Sequence, residues 1–399
     1  MFLLNQHGDR GGALPPEAAA ALGEAAADEV ERFLARRPDH APTPLHSLPA
    51  LAAELSVGSI HFKDEGQRLD LGSFKALGGA YAVVRLVLQE AERRFGRPVD
   101  LGEIQSADLR EVAGRLTFGC ATDGNHGRSV AAGAKLVSAR AVIFVHEGVS
   151  EQRVAAIERF GAEVVRVPGR YDDSVAEAGR RCDVEGWTVV SDTSWPGYER
   201  IPLLVMQGYT VLVREALRAL GELPTHVFVQ AGVGGLAAAV AGHLDAALGA
   251  ARPALVVVEP ARAACLLESA RAGRVVRIPE GPPTVMAMLE CYEPSRVAWQ
   301  ILARAADAFM TVDEEDAIEM MGRLARPLAG DPAIVSGESG GIGLAGLVRA
   351  ARDPDLRRML RLDEHARILT INTEGATDPD RYHELVGVAP AEITSPNAR

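Results

Sequence analysis

Residues Arg115–Val145 read RLTFGCATDGNHGRSVAAGAKLVSARAVIFV, and the order of residue types in this stretch decides the fold. An apolar run ends in a polar, glycine-bearing turn, an alanine-rich stretch of helical period follows, and a second apolar run closes the unit: strand, turn, helix, strand. Outward from it, SEQRVAAIERFGAEVVRV (Ser150–Val167) repeats helix then strand, and THVFVQAGVGGLAAAVAGHL (Thr225–Leu244) with ALVVVEP (Ala254–Pro260) repeats strand, turn, helix, strand. Such alternation predicts an α/β chain. Upstream, SIHFKDEG (Ser59–Gly66) predicts a strand leaving into a loop, and a helix is expected from about Lys75 towards Arg94 with Ser73 as its N-cap. Glu17 to Arg37 carries helical spacing, and the proline-punctuated RRPDHAPTPLHSLPAL (Arg36–Leu51) reads as an extended loop at which the catalytic body begins. GWTVVSDTSW (Gly186–Trp195) reads as a strand with a polar exit, followed by a long helix ending at Gly221, and INTEGATD (Ile371–Asp378) ends the last strand. There is no repeat of solenoid period.

The chain has 399 residues, 47% hydrophobic and 24% charged, which suits two packed domains. VSARAVIFV (Val137–Val145) and ALVVV (Ala254–Val258), among the longest apolar runs, are too short to span a bilayer, and MFLLNQHGDRGG (Met1–Gly12) has no basic lead-in of a secretory signal, so a cytoplasmic protein without a membrane role is expected. Cys120, Cys182, Cys265 and Cys291 are far apart and form no CxxC pair, which points to buried thiols and not to a disulfide framework or a metal site. A net charge of −12 with scattered basic residues argues against nucleic acid as a partner and leaves small molecules.

Three turns carry candidate chemistry. Lys75, in GSFKALGGAYAV (Gly72–Val83), opens an apolar helix, where the positive helix end and apolar surroundings both push an amine towards the neutral, nucleophilic form that a Schiff base needs. TDGNHG (Thr122–Gly127) offers Asn125 as a donor to an aromatic hydroxylate and Asp123 for proton work, beside Thr122, Gly124 and His126; the plain alternative makes them turn and cap residues. Gly232, Val233, Gly234, Gly235 and Leu236 lie between a strand and a helix, where backbone N–H groups and the helix dipole suit a phosphate. Read alone this glycine turn also resembles a dinucleotide fingerprint with Glu259 as the ribose acid, which would make the chain a nicotinamide-dependent oxidoreductase. Taken together, an imine-forming lysine, an asparagine facing a ring oxygen and a phosphate cradle fit one cofactor, pyridoxal 5′-phosphate.

SFKALGGA, TDGNHG and QAGVGGLAAAV, in that order, resemble the fold-type II pyridoxal-phosphate enzymes, the tryptophan synthase β-like family. More narrowly, SDTSWPGYERIPLLVMQGYTVLVREAL, MAMLECYEPS, SGESGGIG and INTEGATD are similar to the diaminopropionate ammonia-lyases over nearly all of the chain from the proline-rich loop onwards. The resemblance implies two α/β domains, a larger one from residues 1–80 and 195–399 and a smaller one from 81–194, with the cofactor in the cleft between them, and a homodimer. It implies Lys75 as the Schiff-base lysine, with Phe74 beside it, Asn125 on the ring oxygen, Gly232 to Leu236 on the phosphate, and Thr373 or Glu374 at the pyridine nitrogen. It further implies Lys75 and Asp123 as bases for the L- and D-isomers on opposite faces, and Asp192 as an acid/base or substrate-orienting group. Thr122, Asp123, Gly124, His126 and Asp192 would then bind the substrate, an acidic pocket suiting its β-ammonium group. The expected reaction is elimination from 2,3-diaminopropionate to pyruvate and two ammonia; a serine or threonine dehydratase on the same scaffold is the nearest alternative.

Overall fold

The protein was analysed as a computed structural model that describes residues 1–9, 12–122 and 124–394. Three short strands, β1 (Phe2–Leu4), β2 (Leu45–Ser47) and β3 (Ser59–Asp64), precede the helix Lys75–Phe95. Four follow it, β4 (Thr117–Ala121), β5 (Arg140–His146), β6 (Glu163–Val167) and β7 (Thr188–Val189). The last four are β8 (His226–Gln230), β9 (Ala254–Pro260), β10 (Ala308–Val312) and β11 (Arg367–Asn372).

The chain divides into two compact units, one of residues 1–24, 42–67 and 212–399, the other of 25–41 and 68–211. In the first, seven strands run in the order β1-β10-β9-β8-β11-β3-β2. The five central strands are parallel and the edges β1 and β2 are antiparallel. Parallel strands covered on both faces need no polar alternation, which is why Val227, Phe228 and Val229 of β8 and Leu255, Val256, Val257 and Val258 of β9 are consecutive, apolar and buried. Phe62, Phe228, Val256, Val258, Met310 and Ile368 share one core there.

In the second unit four parallel strands run β6-β5-β4-β7, with Val142, Phe144, Val167 and Ala178 packed together. The unit takes in the whole Lys75 helix, beyond the 81–194 span read from sequence, because that helix lies on the helix Asn125–Val137. Their approach is close: a Cβ on Gly133 would sit 2.6 Å from the Cα of Ala80, and Ser129 Oγ accepts from the Ala80 amide at 2.9 Å.

Two local expectations are corrected. The segment Glu17 to Arg37 is two helices, Pro16–Leu22 and Glu24–Leu34, separated by an extended Gly23 (φ −73°, ψ 172°). The residues before the proline-rich loop are also part of the folded body: β1 pairs with β10, Phe2 lying opposite Met310, and Ala27, Val30 and Phe33 are buried.

Candidate active site

Lys75 is the first residue of its 21-residue helix, and Phe74 before it supplies no side-chain cap. Ser73 does not cap the helix as expected; its hydroxyl is buried and makes no hydrogen bond within the chain. The positive helix end disfavours an ammonium there. The structure compensates with a partner: Lys75 Nζ donates to Asp192 Oδ2, the two side chains being 23% and 17% exposed. The picture of an amine surrounded only by apolar groups is thereby corrected: Lys75 is paired with a carboxylate. Burial alone would push the Asp192 carboxyl up; the Lys75 ammonium and its hydrogen bond outweigh it and hold the group well below the usual carboxylate range.

β4 leads into the turn Thr122–Gly127 and the helix Asn125–Val137. Thr122 Oγ1 accepts from the amides of Gly124 (3.0 Å) and Gly127 (3.2 Å), so this hydroxyl shapes the turn, and Gly124 takes a φ of +144° that a side chain would resist. Asp123 lies outside the described residues. Asn125 is buried at the first helical position. His126 is buried, its Nε2 donates to the Val190 carbonyl at 3.0 Å, and burial lowers its pKa, so it is a neutral imidazole with Nδ1 as the acceptor nitrogen.

His126 Nδ1, Ser73 Oγ and the Tyr209 hydroxyl are buried polar atoms without a hydrogen-bond partner in the chain. The Tyr209 ring meets Phe74 edge-on at 4.8 Å, and Lys75 and Asp192 both act on its phenol, which burial pushes well up. A polar group left in that state costs about 1–3 kcal/mol, which a bound polar ligand would relieve. Sequence reasoning did not find Ser73, as a ligand group, or Tyr209; no local pattern marks either.

In the other unit, β8 runs into Gly232–Leu236 and the helix Gly235–Leu248. Gly234 is the N-cap residue, with φ +97° and no side-chain cap. A Cβ there would also lie 3.2 Å from Ala298, Leu266 and Leu302, so the turn keeps its N–H groups unobstructed by a side chain. Gln230, the last residue of β8, directs Nε2 at Thr373 Oγ1 (3.0 Å) and the carbonyls of Ile371 (3.1 Å) and Ser339 (3.2 Å). Thr373 Oγ1 itself reaches Ser339 O at 3.3 Å, so this hydroxyl is committed to the β11 exit, whereas Glu374 beside it is a buried carboxylate.

Glu259 overturns the oxidoreductase alternative. Its two carboxylate oxygens accept from the amides of Leu266 and Leu267, each at 2.7 Å, and close the N-terminus of the helix Cys265–Ala272. A fully buried carboxylate used in this way cannot reach a ribose.

The model of the "Pyridoxal-phosphate dependent enzyme" family matches residues 36–374. The chain is 37% identical to the diaminopropionate ammonia-lyase of Escherichia coli K12 over 377 residues, covering 93% of each chain, and 38% identical to that of Salmonella typhimurium LT2, covering 90% of this chain and 91% of the relative. It is also similar to the crystal structure of the E. coli enzyme in complex with an aminoacrylate-PLP azomethine reaction intermediate, with a TM-score of 0.86 and 36% identity over 97% of this chain and 96% of that one. With the match running through both sheets, this chain belongs to the pyridoxal-phosphate dependent enzyme family.

Proposed function

We propose that the chain eliminates ammonia from 2,3-diaminopropionate. The observation that carries this reading is the Lys75–Asp192 pair at an uncapped helix end, in a chain similar along its length to diaminopropionate ammonia-lyases. Pyridoxal 5′-phosphate, when bound, supplies an aldehyde for a lysine amine and a ring that takes up the electron pair left when Cα loses its proton.

The chain's own residues do the rest. Lys75 would hold the cofactor covalently and, as the free amine, would move the Cα proton of the L-isomer, while Asp123 would act on the D-isomer from the opposite face. Asp192, held as a carboxylate, orients Lys75 and attracts the cationic β-ammonium group. The backbone of Gly232, Val233, Gly234, Gly235 and Leu236 would hold the phosphate at the open helix end, and Asn125 would donate to the ring oxygen. Since the Thr373 hydroxyl is already engaged, Glu374 is assigned to the pyridine nitrogen. Thr122, Gly124 and His126 form the turn that receives the substrate carboxylate. Loss of the Cα proton and of the β-amine gives aminoacrylate and ammonia; adding water to aminoacrylate gives pyruvate and the second ammonia. The two compact units are read as the larger and smaller domains of the family, and the assembly as a cytoplasmic homodimer.

The test is product formation from each diaminopropionate isomer by the purified holoenzyme. Pyruvate and two ammonia per substrate, with serine turned over far more slowly, is the expected result. Serine or threonine turned over faster than diaminopropionate would make the chain a dehydratase instead.

A further inference from the structure

Asp192 is useful only if its carboxylate stays in register with Lys75, yet the sheet does not hold it there. β7 is two residues long and its pairing with β4 ends at Gly119 and Val189, three residues short of Asp192. Beyond that point one more ladder-like bond, Val190 N to Gly119 O at 2.8 Å, is made, and side chains then take over. The Tyr198 hydroxyl donates to Val189 O at 2.8 Å and accepts from Ser191 N at 2.9 Å, and His126 Nε2 donates to Val190 O at 3.0 Å. Three consecutive residues leading to Asp192 are thus held by two side chains.

The sequence explains how Tyr198 returns to the strand it holds. Trp195-Pro196-Gly197-Tyr198 places proline and glycine at the two central positions of a tight turn, Gly197 has φ +85°, and Tyr198 N closes on Trp195 O at 2.9 Å, as a type II turn requires. The Trp195 and Tyr198 rings then stack at 4.1 Å and 12°, with Trp195 on the exposed side.

We propose that Tyr198 is a positioning residue for the elimination, its hydroxyl acting through the Val189–Ser191 backbone to keep Asp192 against Lys75. The inference rests on the proposed function. The titratable groups that act on Asp192 or are acted on by it, among the described residues, are Lys75, His126, Cys120, Tyr198 and Tyr209. Tyr198→Phe leaves all the others in place and removes two hydrogen bonds while keeping the ring.

The first measurement uses cofactor-free protein: the pH midpoint for labelling of Lys75 by an amine-selective reagent, read by peptide mass spectrometry. Asp192→Asn removes the carboxylate and is expected to move the midpoint to lower pH. Tyr198→Phe is expected to move it in the same direction by about 0.5 unit, which corresponds to a loss of about 0.7 kcal/mol of ion pairing. In the Asp192→Asn background the same change is expected to add nothing, because the tyrosine acts through that aspartate. Trp195→Ala removes the stacking, keeps both hydrogen bonds and is expected to leave the midpoint unchanged. With the holoenzyme, Tyr198→Phe is expected to lower kcat about 10-fold at an unchanged KM, the pattern of an interaction that matters to the chemical step. An unmoved midpoint in Tyr198→Phe, or an equal shift with and without the Asp192 carboxylate, overturns the proposal. Failure of diaminopropionate turnover in the unsubstituted enzyme overturns the functional reading instead, and leaves the labelling result standing.

Discussion

β8 and β9 are neighbours in one sheet, both buried, and both run through a turn into a helix, yet the two helix ends are finished in opposite ways. At the end of β9, Glu259 turns its own carboxylate onto the Leu266 and Leu267 amides. At the end of β8, Gly234 supplies no side chain at all. The positive end of a helix is an anion site in either case; in the first the protein has occupied it itself, and in the second no N-cap side chain does so. Glycine content alone would not separate the two. What separates them is whether a carboxylate stands at the strand end within reach of the amides.

The sharpest way to break this comparison is to make the open end resemble the filled one. Gly234→Asp puts a carboxylate at the N-cap and forces φ +97° on a residue with a Cβ. The lost helix-end interaction is worth up to about 2 kcal/mol and the backbone strain about 1–2 kcal/mol, so affinity for pyridoxal 5′-phosphate should fall by about 10²–10³-fold. Equilibrium dialysis measures it. Gly234→Ala keeps the strain but leaves the end open, and its loss should be about 10-fold; equal losses for the two variants would mean that the carboxylate is irrelevant and the contrast with β9 is empty.

That contrast was half legible in the sequence. The alternation of strand and helix, the glycine turn between β8 and its helix, and the lysine at a helix start all lie within short windows, where period and turn chemistry suffice. Glu259 stood in the same windows but carried two readings, ribose acid or not, which only the position of Leu266 and Leu267 could decide. Asp192 and Lys75 are 117 residues apart, His126 and Val190 are 64 apart, and β1 finds its partner in β10; no local pattern encodes such meetings. The break at Gly23 escaped for a different reason, because helical spacing of alanines continues on both sides of it.

The filled end can be opened. Glu259→Gln replaces one accepting oxygen by an NH₂ group that faces a backbone N–H, so unfolding stability should fall by about 1–3 kcal/mol while cofactor affinity stays the same. Burial pushes the Glu259 carboxyl up to about 8 against the pull of the two amide bonds. A group raised in the folded state stabilises fully below its unfolded value and loses that contribution as pH rises through the folded one. The gap between the variant and the unsubstituted protein should therefore be widest below about pH 4.5 and narrow towards pH 8. Denaturant titrations across that range measure it, and a simultaneous loss of cofactor binding would show that the two helix ends are not independent.

The smallest effect concerns a third strand-to-helix turn, from β4, where Gly124 is the N-cap residue and supplies no side-chain cap. There a neutral His126 is buried at the second helical position and spends its one N–H on Val190. Burial lowers its pKa from the ordinary 6.5, so the unfolded chain takes up the proton first as the solution is acidified. Its contribution is thus complete above pH 6.5 and declines as pH falls towards the folded-state value, at most about 1.4 kcal/mol per pH unit for one proton. His126→Gln has no proton to take up, and the acid side of its stability profile should be shallower by up to that slope, whatever its stability at neutral pH. Parallel profiles would mean that the imidazole titrates equally in both states and that this turn, unlike the two in the larger sheet, buries its polar group without consequence.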